Sequence, residues 1–389
     1  MTNILFVLYH DFTSNSAIHV HNFANQLASF GHSVGVAVPD NQETADHLGE
    51  RAYTVAAFPQ FDGAWSKTFP NGAGPNVVHA WTPRENVRLF CEKLKGLASF
   101  RLVVHLEDNE ELILESNMGE SFAALEHAPS SEIPGNLAHP RNYRRFLAAA
   151  DGITVIMDRL EKFVPAKTPR LVLWPGADTS LFFPREKDPA TLASLGVAPE
   201  NLVLCYTGNV HSANAHEVRS LYVAVAMLNR EGIPATLLRA GGDYCSFLGE
   251  DDAWARQHSI DVGYIKHVEV PQLLSLADVL VQPGADDAFN EYRLPAKLPE
   301  FFAMGRPVIL PRTNVGRFAR HAEEAWVLAK VDALGIVEAL QTLAQDAGLV
   351  RRLSDGALRF GAEHFDWHKN ARTLEQFYQT FEPAAHRTS

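Results

Sequence analysis

Two Rossmann-like α/β domains, each a doubly wound parallel sheet and the two facing a cleft, are the fold class that the sequence predicts, from three observations. The chain has 389 residues, more than one core commonly serves at roughly 100 to 200 residues per domain. Short β-rich apolar runs alternate with longer amphipathic segments from beginning to end, which is the βαβ pattern of a parallel sheet covered by helices. That pattern halts and restarts across LVLWPGADTSLFFPREKD, where Pro175, Gly176 and Pro184 punctuate an otherwise regular alternation. The expected division is an N-terminal domain over residues 1–178, a C-terminal domain over 179–364, and a final segment 365–389 whose helix crosses back to the first domain before a polar tail.

The elements follow in order. ILFVLY reads as the first strand, TSNS as an N-cap-like turn, and AIHVHNFANQLASFG as the first helix. Its apolar face is expected from Ile18, Phe23, Leu27 and Phe30, with Gly31 as the stop. HSVGVAVP, NVVHAWTP, RLVVHLED and GITVIM read as further strands of one sheet. After Pro184 come the strand NLVLCYTG, the helix AHEVRSLYVAVAMLNREG and the strands ATLLRAGGD, IDVGYI, ADVLVQPG and RPVILP. The amphipathic DWHKNARTLEQFYQTFE has no strand after it. Ligands of doubly wound sheets bind at the carboxyl ends of the strands, which here form the cleft.

Composition excludes several classes. With 46% hydrophobic and 21% charged residues the chain is an ordinary globular protein. Its formal charge of −12 repels phosphate backbones and anionic lipid surfaces, so no nucleic-acid partner is expected. Through Asp178 there are 14 Lys/Arg against 20 Asp/Glu, a difference of −6, so no basic face for anionic membrane is evident. Apolar stretches such as LLSLADVLVQP are broken by Asp278 and Pro283 before the ~18 residues that a membrane helix needs. MTNILFVLYHDF begins a strand without a basic leader or cleavage site, from which a cytoplasmic location is expected. Cys91, Cys205 and Cys245 are odd in number and widely spaced, which argues against a disulfide framework or a zinc site and for apolar packing.

KLPEFFAMGRPVI, from Lys297 to Ile309, resembles the retaining glycosyltransferases of the GT-B architecture, whose corresponding stretch carries a lysine or leucine, a glutamate, a short helix, and then glycine, a variable residue, proline and valine. WPGADTSLFFP resembles that family's proline, asparagine, glycine, valine, aspartate run with its following phenylalanine. VPQLLSLADVLVQPG, FGHSV and the closing aromatic helix around Trp367 and Tyr378 are similar too, so the resemblance spans nearly the whole chain. It implies transfer of a sugar from a nucleotide diphosphate sugar, held mainly by the C-terminal half, to an acceptor hydroxyl with retention of configuration. No cofactor and no metal are implied; AGGDYC has a single Asp and GADDAFN falls in a loop, so no carboxylate pair suits Mg²⁺.

The resemblance assigns roles residue by residue. Glu300, at a helix start, would accept hydrogen bonds from the vicinal hydroxyls of a ribose; the alternative is a glutamate placed only against the helix macrodipole. Where the family has a sugar-contacting glutamate eight positions earlier, this chain has Tyr292, with Glu291 beside it as the catalytic-site candidate; Asp286, Asp287 and Glu291 as a solvated acidic loop is the other reading. Where the family carries an arginine and a lysine after the first strand of this domain, TGNVHSANAHEVRS has Asn209 and Asn214. A diphosphate must still be matched by cations, N–H groups or a helix N-terminus. Arg293 and Lys297 are the expected substitutes, with Gly208 and Asn209 completing the donor site through close backbone approach; surface charges snorkelling along a loop are the alternative.

In the N-terminal domain the resemblance assigns His105, in VVHLED, to a place beside the reacting sugar, with His79 at an equivalent strand end. A strand-end histidine is otherwise most often structural. Ser14, Asn15 and Ser16 leave small polar groups where an acceptor, a small molecule, glycan or protein, would approach. His19 and His21, two apart on a helix, make a poor metal pair. A nucleotide-sugar epimerase of the same fold and a non-catalytic partner subunit are the alternatives. A nicotinamide enzyme is disfavoured because LYHDFTSNS replaces the GxGxxG turn.

Overall fold

The computed structural model describes residues 1–381 and divides into two compact units, residues 1–175 together with 367–381, and residues 176–366. The first unit holds a seven-stranded sheet of β1 (Asn3–Leu8), β2 (Ser33–Val38), β3 (Thr54–Ala57), β4 (Val77–Trp81), β5 (Arg101–Leu106), β6 (Gly152–Val155) and β7 (Arg170–Val172). Spatial order is β3-β2-β1-β4-β5-β6-β7, and every pairing is parallel. The order reverses between β1 and β4, which makes their carboxyl ends the switch point of this sheet. Strands β1, β2 and β4 are buried at every residue. That is why they read as continuous apolar runs rather than alternations.

Helix α1 (Asn15–Ser29) is capped by Ser14, whose hydroxyl accepts from the Ala17 amide at 3.3 Å. Its buried face is Ala17, Val20, Phe23, Ala24 and Leu27, not the expected stripe through Ile18, which is 40% exposed. At 100° per residue Ile18 lies on the far side from Val20, and burial follows the helix phase rather than the residue's apolar character. Helices α2 (Glu85–Lys95), α3 (Glu110–Met118) and α4 (Pro140–Ala148) complete the connections of this unit.

The second unit contains α5 (Pro189–Ser194) and a six-stranded parallel sheet of β8 (Leu202–Thr207), β9 (Ala235–Ala240), β10 (Ser259–Gly263), β11 (Val279–Val281), β13 (Val308–Pro311) and β14 (Trp326–Leu328), in the order β10-β9-β8-β11-β13-β14. A short antiparallel pair, β12 (Gly284–Ala285) with β15 (Lys330–Val331), lies beside it. Its helices are α6 (Ala215–Arg230), α7 (Ala253–Arg256), α8 (Val270–Ser275), α9 (Leu298–Ala303), α10 (Ala333–Gln345) and α11 (Ala347–His364). Helices α6 and α10 cover β8 and β9 through Leu221, Val225, Leu237, Ile336 and Leu340, all fully buried.

Helix α12 (Trp367–Gln379) belongs to the first unit. Trp367 meets Phe23 of α1 edge to face at 5.1 Å, and Leu374, Phe377 and Tyr378 join the core of β1, β2 and α1. A Cβ on Gly152 of β6 would lie 2.8 Å from the Phe377 ring, so the helix approaches the sheet over a position that only glycine fits. The seventh strand, Arg170–Val172, runs into the start of the punctuated joint, too short to stand out before its Pro-Gly end.

Candidate active site

In the second unit the sheet reverses between β8 and β11, and the chemistry-bearing side chains collect at the carboxyl ends of these strands. The Lys297 Nζ lies 3.2 Å from Gln282 Oε1 and 3.4 Å from the Tyr206 hydroxyl, over the Tyr206 ring at 4.4 Å. Gly208, with φ of +148°, is so close that a Cβ there would sit 3.0 Å from Lys297 Nζ. Arg293 stacks over Phe289 at 3.7 Å, donates to Asn290 Oδ1 at 2.9 Å and reaches Glu217 at 3.7 Å. Burial and the neighbouring Arg293 lower the Lys297 ammonium to about 7, against the opposing pull of Glu217 and Glu300. Burial, then Arg293 and Lys297, hold the His211 imidazole below its ordinary value. Two cations, Arg293 and Lys297, are thus gathered here beside the carboxylates Glu217 and Glu300.

Glu300 stands in the first turn of α9, half-buried, with its Oε1 2.7 Å from His267 Nε2. Glu291 is half-buried in a turn folded onto Asp287, whose carbonyl accepts its amide at 3.0 Å; Tyr292, in the position where a glutamate was expected, is buried. Gly208, Arg293, Lys297 and Glu300 are therefore gathered at one sheet edge.

Asn209 and Asn214 hold the loop together. Asn214 accepts from the His211 amide at 2.8 Å and donates to the Asn209 carbonyl at 2.9 Å, while Asn209 Oδ1 accepts from the Gly242 amide at 2.9 Å. The amides of Gly208 and Val210 donate to Ala240 and Gly242. The backbone N–H of Gly208, where close approach to a diphosphate was expected, and those of Val210 and His211 are thus engaged within the protein. Gln282, Tyr206, Glu217, Asn290 and His267 escaped the sequence reading because each acquires its place through a partner many residues away.

In the first unit, Glu107 lies just beyond β5 and binds three donors. Its Oε1 accepts from Trp81 Nε1 at 2.7 Å and from His19 Nδ1 at 3.0 Å, and its Oε2 from the Ser16 hydroxyl. Burial raises the Glu107 carboxyl, but the hydrogen bonds from His19 and Ser16 and the pull of His19 outweigh it and lower Glu107 to about 2. Beside it Arg84 pairs with Glu110 at 3.1 Å and stacks over Tyr9 at 3.9 Å. Thr82, immediately after β4, is buried with φ of +79°, an uncommon backbone for a β-branched residue.

His105 is 1% exposed, stacked on Trp81 at 4.0 Å, with Nδ1 2.8 Å from Thr154 Oγ1. Burial takes its imidazole down to about 3, so it is neutral at working pH. His79, fully buried, sits between Tyr378 at 2.7 Å and Thr154 at 3.0 Å. Ser14 caps α1, Asn15 is exposed on its first turn, and Ser16 is buried against Glu107. His19 faces Glu107 whereas His21 faces Tyr53 at 2.8 Å, as their spacing requires.

The two parallel-sheet units have the fold of the GT-B glycosyltransferases: solved structures of that class cover almost the whole chain. Sucrose-phosphate synthase from Thermosynechococcus elongatus superposes with a TM-score of 0.69 at 16% identity, over 98% of this chain and 99% of that one. The HepE protein of Anabaena in complex with UDP does so with a TM-score of 0.71 at 13% identity, over 98% and 100%. Residues 201–346 match the family model of glycosyl transferases group 1. A curated protein, the D-inositol 3-phosphate glycosyltransferase of Rhodococcus erythropolis, is 25% identical over 218 residues, which are 54% of this chain and 48% of that protein. The match spans about half the length of the curated relative. Among the described residues no helix is long and apolar enough to cross a membrane.

Proposed function

We propose that the protein is a glycosyltransferase that moves a sugar from a nucleotide diphosphate sugar to an acceptor hydroxyl with retention of configuration and without a metal ion. The observation that carries this reading is the pair Arg293 and Lys297, held beside Gly208 at the switch point of the second sheet with Glu300 at the adjoining helix start. The HepE structures hold UDP and UDP-glucose, which makes UDP the first nucleotide to test. Glu300 accepts the ribose hydroxyls, and Arg293 and Lys297 meet the diphosphate charge. The sugar C–O bond to the diphosphate breaks as the acceptor oxygen bonds to the same face, and the acceptor proton passes to the departing phosphate oxygen. Charge grows on the leaving group, so the two cations bind the transition state more strongly than the ground state.

Glu291 is assigned to the donor sugar. His105 is assigned to the acceptor-side unit as a neutral, stacked group that shapes the strand end, since an imidazole titrating near 3 is poorly matched to proton transfer at neutral pH. Of the three expected acceptor-side residues, Asn15 keeps an exposed side chain while Ser14 and Ser16 serve α1 and Glu107.

Isothermal titration with UDP and with uridine tests the assignment. Arg293→Ala and Lys297→Ala are expected to weaken UDP about tenfold to a hundredfold, the cost of ~1.5 to 3 kcal/mol for a lost charged hydrogen bond, and to leave uridine nearly unchanged. Equal losses for both ligands would overturn it. UDP-glucose bound tightly without hydrolysis or transfer to any acceptor in a screen would point to the non-catalytic partner instead.

A further inference from the structure

Glutamate carries three side-chain torsions, and one that must present its carboxylate to two neighbouring hydroxyls gains from being held before the ligand arrives. Glu300 is so held. His267 opens the turn His267–Glu269 ahead of α8 and brings Nε2 to 2.7 Å from Glu300 Oε1. The histidine is braced in turn: its ring lies 5.2 Å from that of Phe182, and the Lys266 amide donates to Glu269 at 2.8 Å, closing the turn on itself. Around the pair stand Asp178, whose charge acts on His267, and Lys297, whose ammonium the charge of Glu300 favours. A carboxylate offers about four lone-pair directions, so one bond from His267 leaves Glu300 room for both ribose hydroxyls.

We infer that His267 is a positioning residue for the nucleotide, fixing the Glu300 carboxylate in the orientation that receives the ribose. The inference rests on the assignment of Glu300 to the ribose. Glu300, and then Asp178, raise the His267 imidazole above its ordinary value, while burial opposes them. Its Nε2 donates in the protonated form and in the neutral Nε2–H tautomer alike, so the orientation survives changes of pH around neutrality.

Four variants titrated with UDP separate the possibilities: Glu300→Gln, His267→Ala, His267→Gln and the double variant His267→Ala/Glu300→Gln, each first shown folded by circular dichroism. His267→Ala is expected to weaken UDP about three- to tenfold. His267→Gln, whose amide nitrogen reaches the place of Nε2, should restore affinity to within about twofold, and the double variant should bind no worse than Glu300→Gln alone, as coupled residues do. In the free protein, the imidazole proton resonance of His267 should titrate at lower pH in Glu300→Gln than in the parent. If Glu300→Gln weakens UDP while His267→Ala does not, or if the two losses add, the positioning role is overturned and the ribose assignment stands. If Glu300→Gln binds UDP as the parent does, the ribose assignment itself fails and takes this inference with it.

Discussion

Lys297 carries an ammonium in a place that disfavours it. Its ordinary value of 10.5 falls to about 7, first through burial and then through Arg293. A cation whose value is lower in the folded than in the unfolded chain opposes folding in full below about pH 7, and that opposition fades as pH rises from 7 toward 10.5. Binding runs the other way: a bound diphosphate favours the charged form, so donor binding above pH 7 takes up a proton. Affinity for UDP-glucose, whose diphosphate has no ionisation of its own in this range, is expected to fall between pH 7.5 and 9 by up to about tenfold per pH unit. Lys297→Arg should flatten the slope, because a guanidinium stays charged throughout. Calorimetry in buffers of different ionisation enthalpy would measure the proton uptake, and a flat profile in the parent protein would remove Lys297 from the diphosphate. The same residue shows the limit of sequence reading: Lys297 stood out through its place in KLPEFFAMGRPVI, but its depressed ionisation comes from Arg293, Tyr206 and Gln282 closing around it.

At the scale of elements, helix α12 ties into the first sheet through a buried polar chain. Tyr378 donates to His79, and a consistent proton order continues from His79 Nε2–H to Thr154 and from the Thr154 hydroxyl to His105 Nδ1. The chain runs across β4, β5 and β6 and ends at His105, whose Nε2 has no hydrogen-bond partner among the described residues. Tyr378→Phe keeps the ring and removes the donor, leaving a buried imidazole nitrogen without its partner, and is expected to cost about 1 to 3 kcal/mol. Urea unfolding followed by circular dichroism checks this, and an unchanged midpoint would mean that the chain adjusts without the phenol. The aromatic helix was visible in DWHKNARTLEQFYQTFE. Its seat on the N-terminal sheet depends on Gly152 and Phe23, more than 200 and 300 residues earlier, and such pairings leave no local signature.

Across the whole molecule there are two compact units, and the residues proposed for the donor all lie between Gly208 and Glu300 in the second. Nucleotide should therefore protect that unit selectively. Hydrogen exchange with and without UDP at 100 times its dissociation constant is expected to slow amides around 206–217, 264–269 and 282–300, where stabilisation reaches about 2.7 kcal/mol for openings that abolish binding. Protection concentrated around Glu107 and α1 would instead place the nucleotide on the first unit and overturn the donor assignment.

The sequence by itself determined what depends on local order. The two-sheet α/β fold follows from apolar runs alternating with amphipathic segments, the break near Pro175 from its Pro-Gly punctuation, and the donor candidates Arg293, Lys297 and Glu300 from one contiguous stretch. Tertiary structure decided what depends on pairing between distant residues. It turned Asn209 and Asn214 from vacated phosphate positions into the loop's own hydrogen-bond frame, and it sealed His105 against Trp81 as a neutral ring. It also made Glu107, rather than His105, the charged group just beyond β5, by gathering Ser16, His19 and Trp81 around it. The physical reason is that periodicity and turn chemistry act between near neighbours, whereas charge state, burial and side-chain orientation are set by whatever the fold brings alongside.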